Sequence, residues 1–204
     1  MKLRKDNIIK VPLLSKKYIN NCRLLPQRWD ILELLPKNSI AAEVGVLGGD
    51  WSEKIIKIVN PEKLVLIDSF YANDYPHFKR FTKNTHKQYI ETKFGILGSQ
   101  VEIKQGISWN CLAEYPDNYF DWIYIDAAHD YKSVKQDLEQ SYRVLKPTGV
   151  IIMNDYIMFD KFTNKDYGVI QATNEFMIDN NFEMLYFALH QDMFCDVVIK
   201  KIEE

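Results

Sequence analysis

The chain has 204 residues, 47% hydrophobic and 26% charged, which is the balance of a soluble globular protein with room for one substantial domain. A formal net charge of −2 and a sequence pI near 6.1 give no basic surface suited to nucleic acid or an anionic membrane. Cys22, Cys111 and Cys195 stand far apart with no C-x-x-C pair, which argues against zinc and a disulfide framework and fits a reducing compartment.

Residues 1–38 read as a helical lead-in. The basic start M-K-L-R-K has apolar runs too short and interrupted for a signal peptide, and no stretch approaches the ~20 apolar residues of a membrane span. A cytoplasmic protein with no membrane partner is expected. Trp29, Ile31, Leu32, Leu34 and Leu35 predict a short amphipathic helix stopped near Pro36. That helix is a candidate cover for a second subunit, which keeps a homodimer open. No linker or repeat interrupts residues 39–204, which form the domain proper.

The domain is organised around Ser39–Ser52. An apolar run, Ile40–Val46, meets Gly45, Gly48 and Gly49 and passes into a helical pattern of Trp51, Ile55, Ile56 and Val59. A second run, Leu64–Ile67, ends on Asp68. Strand, glycine turn, helix, strand and acid make the first half of a nucleotide-binding α/β unit, the acid being placed to accept from ribose hydroxyls. An aromatic, charged stretch follows to about Phe94, suited to a loop and helix beside a ligand. His77 and His86 could line a substrate entrance but are expected on a solvated helix, and Tyr71, Tyr75 and Phe78, with Tyr131 and Tyr156 further on, are candidate acceptor walls or plain packing.

Val101–Lys104 reads as a strand leading through Gly106 into a helix at Ser108. Phe120–Asp126 is a strand ending on an acid, Tyr131–Leu145 a helix, Pro147-Thr148-Gly149 a turn and Val150–Met153 a buried strand. Val169–Ile178 is helical, and Phe182–Leu189 and Met193–Lys200 form a terminal hairpin around His190. Trp109 could cover a bound base, and Cys111 reads as core. The fold class is therefore α/β: a mostly parallel seven-stranded sheet with one antiparallel strand and helices on both faces.

In open α/β sheets the ligand sits outside the carboxyl ends of the strands. Those ends carry Glu43/Gly45, Asp68, Gly106/Ser108, Asp126 and Asn154/Asp155. Asp126, Asn154 and Asp155 make an oxygen-only set of the kind that suits Mg²⁺ or Ca²⁺, or else Asp126 holds a ligand and Asp155 caps a turn. His129, three residues past Asp126, has an ordinary pKa of about 6.5 and is a candidate general base, or a surface histidine bonded to Asp130.

These motifs together, E-V-G-V-L-G-G-D-W-S (43–52), I-D-S-F (67–70), Q-G-I-S (105–108), F-D-W-I-Y-I-D-A-A-H-D-Y (120–131) and L-K-P-T-G-V-I-I-M-N-D-Y (145–156), resemble class I S-adenosylmethionine-dependent methyltransferases of the small O-methyltransferase-like type linked to sugars and natural products. The resemblance runs from about Ile40 to Ile199. It implies a Rossmann-like methyltransferase fold, S-adenosylmethionine as cofactor and a small-molecule acceptor hydroxyl. The implied cofactor set is Glu43, Gly45, Val46, Gly49, Ser52, Asp68, Ser69, Gly106, Ile107, Ser108 and Asp126. His129 and Asp126 are the implied catalytic pair, with Mg²⁺ at Asp126, Asn154 and Asp155 as in metal-dependent relatives. Leu47 stands where the family often has its middle glycine. An NAD(P)-dependent oxidoreductase shares the first α/β unit but favours G-x-G-x-x-G, which Gly45, Gly48 and Gly49 do not match. A catalytically silent nucleotide-binding module would keep the same fold.

Overall fold

The computed structural model describes residues 10–72 and 84–203. The lead-in contributes α1 (Lys16–Ile19), β1 (Arg23–Leu25) and α2 (Asp30–Leu34). Then come β2 (Ile40–Val44), α3 (Asp50–Ile58), β3 (Lys63–Asp68), α4 (His86–Phe94), a 3₁₀ segment (Gly95–Gln100), β4 (Val101–Gln105), α5 (Ser108–Ala113), β5 (Phe120–Ile125), α6 (Tyr131–Val144) and β6 (Leu145–Met153). A small hairpin, β7 (Phe159–Asp160) and β8 (Lys165–Asp166), precedes α7 (Val169–Asn180), β9 (Phe182–Ala188) and β10 (Asp196–Lys201).

The main sheet has eight strands in the order β1-β9-β10-β6-β5-β2-β3-β4. β10 runs antiparallel to both its neighbours, and the other pairings are parallel. The sequence implied seven strands and a helical lead-in. The eighth is Arg23–Leu25, which pairs in parallel with Tyr186–Ala188. Three residues offer too little pattern to read, and their partner lies at the far end of the chain. Pro147-Thr148-Gly149 is not a turn but lies within β6, where Leu145 pairs with Phe120 across a register irregularity.

Side-chain alternation builds both faces. Along β3, Leu64 and Leu66 face a layer containing Ile31, Leu32, Ile55, Ile90 and Phe94, whereas Val65 and Ile67 face Leu112, Val134, Leu138, Ala172 and Met177. α2, α3 and α4 therefore cover one face, and α5, α6 and α7 the other. Each fully buried Leu or Ile contributes about 1.5–3 kcal/mol. The helices that flank the strand ends are well started: Thr85 and Gln88 close a capping box on α4, and Asp130 accepts from the Ser133 N–H (3.1 Å) to cap α6. Among the described residues no helix is long and apolar enough to cross a membrane.

Candidate functional site

The strand order reverses between β2 and β5, and a cleft of about 780 Å³ opens at their carboxyl ends. Its first wall is the loop after β2. Gly45 has φ +92°, and a Cβ there would stand 1.9 Å from the Asp126 carbonyl oxygen, so glycine lets this loop and the exit of β5 meet backbone to backbone. Leu47 takes the glycine-like position at φ +45° and is half exposed. It is held by hydrogen bonds rather than by intrinsic preference. Asp68 Oδ2 accepts from Val46 N–H (2.8 Å) and Leu47 N–H (3.2 Å), and His86 Nε2 lies 2.6 Å from the Leu47 carbonyl oxygen. His86 Nδ1 accepts from Ala72 N–H (3.3 Å), which puts the ring proton on Nε2, facing that carbonyl. His86 is thus a buried brace of the loop that also lines the cleft, and not a histidine on a solvated helix. The 70–94 stretch looked polar because its buried histidine is spent on backbone groups.

Asp68 also accepts from Phe70 N–H through Oδ1 (2.7 Å). Both lone pairs of Oδ2 are engaged, and Oδ1 also accepts from the Ser69 hydroxyl at 3.5 Å, a long contact that a ligand hydroxyl can displace. Glu43, Gly45, Val46, Asp68, Ser69, Gly106, Ile107, Ser108, Asp126 and His129 all line the cleft, as do Trp109 and Tyr71. Four expected residues do not: Gly49, Ser52, Asn154 and Asp155. Gly49 (φ +71°) is a glycine because a Cβ would meet the Phe94 ring at 2.7 Å, a packing demand of α4. Ser52 is buried on α3 and acts on the site through Glu43. His77, Tyr75 and Phe78 lie outside the described residues. Tyr131 and Tyr156 are engaged elsewhere, with Glu175 and Asn174. Cys111 is core, packed under Gly106.

Glu43 is the most demanding group in the cleft. It is fully buried, and its Oε2 has no hydrogen-bond partner. Burial raises its pKa well above the carboxylate range, the nearby Ser52 hydroxyl opposes this, and the charges of Asp126 and Asp68 add to it. A buried carboxyl with a spare oxygen on a cavity wall calls for a donor from the ligand.

At the other end, Asn154 N–H extends the parallel ladder to Ile125, and Asp155 turns the chain at φ +51°. His129 Nε2 then lies 3.5 Å from Asp126 Oδ1 and 3.7 Å from Asp155 Oδ2. The Tyr167 ring stacks on the imidazole at 4.4 Å. Burial works against a charge on His129, but the two carboxylates outweigh it and raise the pKa above the ordinary value. The Asp155 carboxyl is pushed up to about 6, by burial and then by the charge of Asp126.

This arrangement does not fit a divalent cation. Asn154 is buried, with its amide nitrogen donating to Tyr124 Oη (3.0 Å) and Asp196 Oδ1 (3.2 Å). The imidazole of His129 stands between the two acids, and among the described residues no group of three His, Cys, Asp or Glu side chains has metal-binding geometry. The strand ends bring the acids together as expected, but His129 takes the place assigned to Mg²⁺.

Among the lining residues that escaped the reading of the sequence as ligand groups are Arg28, Trp29, Lys54 and His190. Arg28 and Trp29 arrive from the lead-in, because β1 carries it onto the sheet edge. His190 was expected to be a turn residue; its connection between β9 and β10 folds over the cleft. Only the Trp29–Leu35 pattern signalled that the lead-in packs on the domain at all.

A family model described as a methyltransferase domain matches residues 42–156. Among solved structures, a SAM dependent methyltransferase from Aquifex aeolicus superposes with a TM-score of 0.58 at 17% identity, covering 83% of this chain and 87% of that one. An O-methyltransferase from Bacillus cereus, in complex with SAH, gives 0.58 at 15% identity over 85% and 78%. A protein of M. jannaschii in complex with AdoMet gives 0.51 at 13% identity over 85% and 74%. These likenesses are of fold. No curated protein matches the chain.

Proposed function

Because the chain belongs to the methyltransferase domain family, we propose that it binds S-adenosylmethionine in this cleft and methylates a hydroxyl of a small molecule. The observation that carries the reading is Glu43: a buried carboxyl with an unpartnered oxygen, on the wall of a cavity whose volume lies within the range of cofactor sites. An ammonium group is the donor it suits. A ribose hydroxyl would displace the long Ser69 contact on Asp68 Oδ1, and Gly106, Ile107 and Ser108 border the base.

When bound, the cofactor supplies a methyl group on a sulfonium; the acceptor oxygen forms the new C–O bond as the C–S bond breaks, its electron pair passing to sulfur. The protein aligns the acceptor with that methyl group, which in well-oriented systems is worth about 7–11 kcal/mol. Its second task is the acceptor proton. His129 is the group placed to take it, since it lines the cleft and its imidazolium would be held by Asp126 and Asp155. The same carboxylates that stabilise the protonated ring raise its pKa, so the base needs a pH above the ordinary histidine value to be neutral. No step needs a metal.

Isothermal titration with S-adenosylhomocysteine, in Mg²⁺ and then in EDTA, tests the reading. Equal binding in both is expected, with none of NADH. Binding of NADH in its place would refute the assignment.

A further inference from the structure

Two cations on the cleft wall, Arg28 and Lys54, keep hydrogen-bond donors that the acids of the cleft do not take up. Arg28 lines the cavity with its side chain 27% exposed, and its nearest carboxylate oxygen, Asp196 Oδ1, is 3.8 Å away. Among the described residues its guanidinium makes no hydrogen bond, so five donors stand unspent in a half-enclosed site. Trp51 fixes the guanidinium from below at 5.6 Å. Lys54, also on the lining, lies over Trp29 (5.0 Å) and Trp51 (5.7 Å) and pairs with no described carboxylate.

The acids of the cleft have other partners. Asp50 is bridged by Lys93 at 3.1 Å, Asp68 is bound to backbone N–H groups, and Asp126 faces His129. Asp196, Asp126 and Asp155 share the field of Arg28, but none of them hydrogen-bonds its guanidinium, and Asp196, the nearest, is raised by burial to about 7. Glu43 is likewise raised by burial. Close to Arg28 stands His190, whose pKa is lowered by burial and by the arginine's charge. Its Nδ1 accepts from Asp192 N–H (3.2 Å), which leaves an Nε2–H donor on the neutral ring.

We propose that Arg28 and Lys54, with His190 beside them, form an anion subsite, so that the methyl acceptor is a hydroxyl compound carrying a carboxylate or phosphate; this rests on the methyltransferase reading above. The anion takes the bidentate edge of Arg28, and the acceptor hydroxyl then lies toward His129.

The test is a titration followed by tryptophan fluorescence, since Trp29 and Trp51 line the subsite. Wild type, Arg28→Gln, Arg28→Lys and Lys54→Gln are each titrated, free and with S-adenosylhomocysteine, with 3,4-dihydroxybenzoate against catechol and with glucose 6-phosphate against glucose. In wild type the anionic member of at least one pair should bind about 10-fold tighter or more. Arg28→Gln should abolish that preference, Arg28→Lys should keep part of it, and Lys54→Gln, at an exposed position that leaves the fold intact, should reduce it. Whether carboxylate or phosphate is the natural group is read from which pair responds. The proposal is overturned if wild type shows no preference or binds none of the four, or if the preference survives Arg28→Gln. It is also overturned if Arg28→Gln weakens S-adenosylhomocysteine but not methylthioadenosine, which would give Arg28 to the cofactor's own carboxylate. An anion preference in a protein that does not bind S-adenosylhomocysteine would uphold the subsite and sink the methyltransferase reading instead.

Discussion

Replacing Gly45 with alanine should be among the most damaging small changes available in this chain. The new methyl would stand 1.9 Å from the Asp126 carbonyl oxygen, 2.5 Å from its carbon and 2.8 Å from Ala127 N, all main-chain atoms of the neighbouring strand exit. The φ of +92° adds backbone strain of about 1–2 kcal/mol for any residue with a Cβ. Forcing a methyl into a packed contact costs a further ~1–3 kcal/mol. Together they predict a loss of about 2–5 kcal/mol, or about 4–20 °C in melting temperature at roughly 2–4 °C per kcal/mol for a chain of this size. Gly48→Ala is the matched control, for there the nearest atom is an Asp50 carboxylate oxygen at 3.9 Å. That variant should be unchanged or gain about 0.4–1 kcal/mol by restricting the unfolded chain. Urea denaturation and calorimetry on both proteins decide the matter. A Gly45→Ala protein within about 0.5 kcal/mol of wild type, or a Gly48→Ala protein equally damaged, would refute the close approach of the two strand exits.

Asp68→Ala should raise the dissociation constant of S-adenosylhomocysteine about 10-fold or more, since charged hydrogen bonds are worth about 1.5–3 kcal/mol and Asp68 also braces the Leu47 turn; unchanged affinity by calorimetry would count against the pocket. His129→Ala should lower kcat by about 10²–10⁴-fold with cofactor affinity intact. Because His129 must be neutral to accept a proton and its pKa is raised, wild-type activity should fall, as pH drops, at a pKa above the ordinary histidine value. Asp155→Asn should move that limb to lower pH, and a limb that stays put would remove Asp155 from the base. Asp137, on α6, has its carboxyl pushed up to about 7 by burial, with Ser108 opposing. The folded protein keeps that proton where the unfolded chain, at about 3.9, has lost it, so wild type loses stability as pH rises between those values. Asp137→Asn should flatten this slope and be the more stable protein at roughly pH 8 in urea; parallel curves would refute the burial argument.

The strand-end wall of the cleft was legible because its cues are local. Gly45 and Asp68 announce themselves by following apolar strands, and the strand ends with Asp126 and Asp155 could be lined up from β-α alternation alone. What was not legible depends on distant pairing or on how a polar group spends its bonds. Arg28 enters only because three residues of the lead-in pair with β9, across more than 160 positions. His86 sits in a polar run, yet is buried because two backbone groups satisfy its ring. Gly49 and Ser52 carried the right residue types, but the ring of Phe94 and the carboxyl of Glu43, rather than the cleft, account for them. The metal expectation finds no support for a similar reason: spacing shows that acids converge, but not that an imidazole stands between them.

The cleft's two ends have separate origins in the chain. Glu43, Asp68, Ser108, Asp126 and His129, and Lys54 of the anion end, fall within the shared methyltransferase segment of residues 42–156, whereas Arg28, Trp29 and His190 fall outside it. A lineage built this way can exchange its lead-in or its terminal hairpin and try new acceptors while the inherited half, with its costly backbone-to-backbone contact at Gly45, stays untouched. Divergence in substrate choice is then expected to accumulate on either side of the shared segment more than within it.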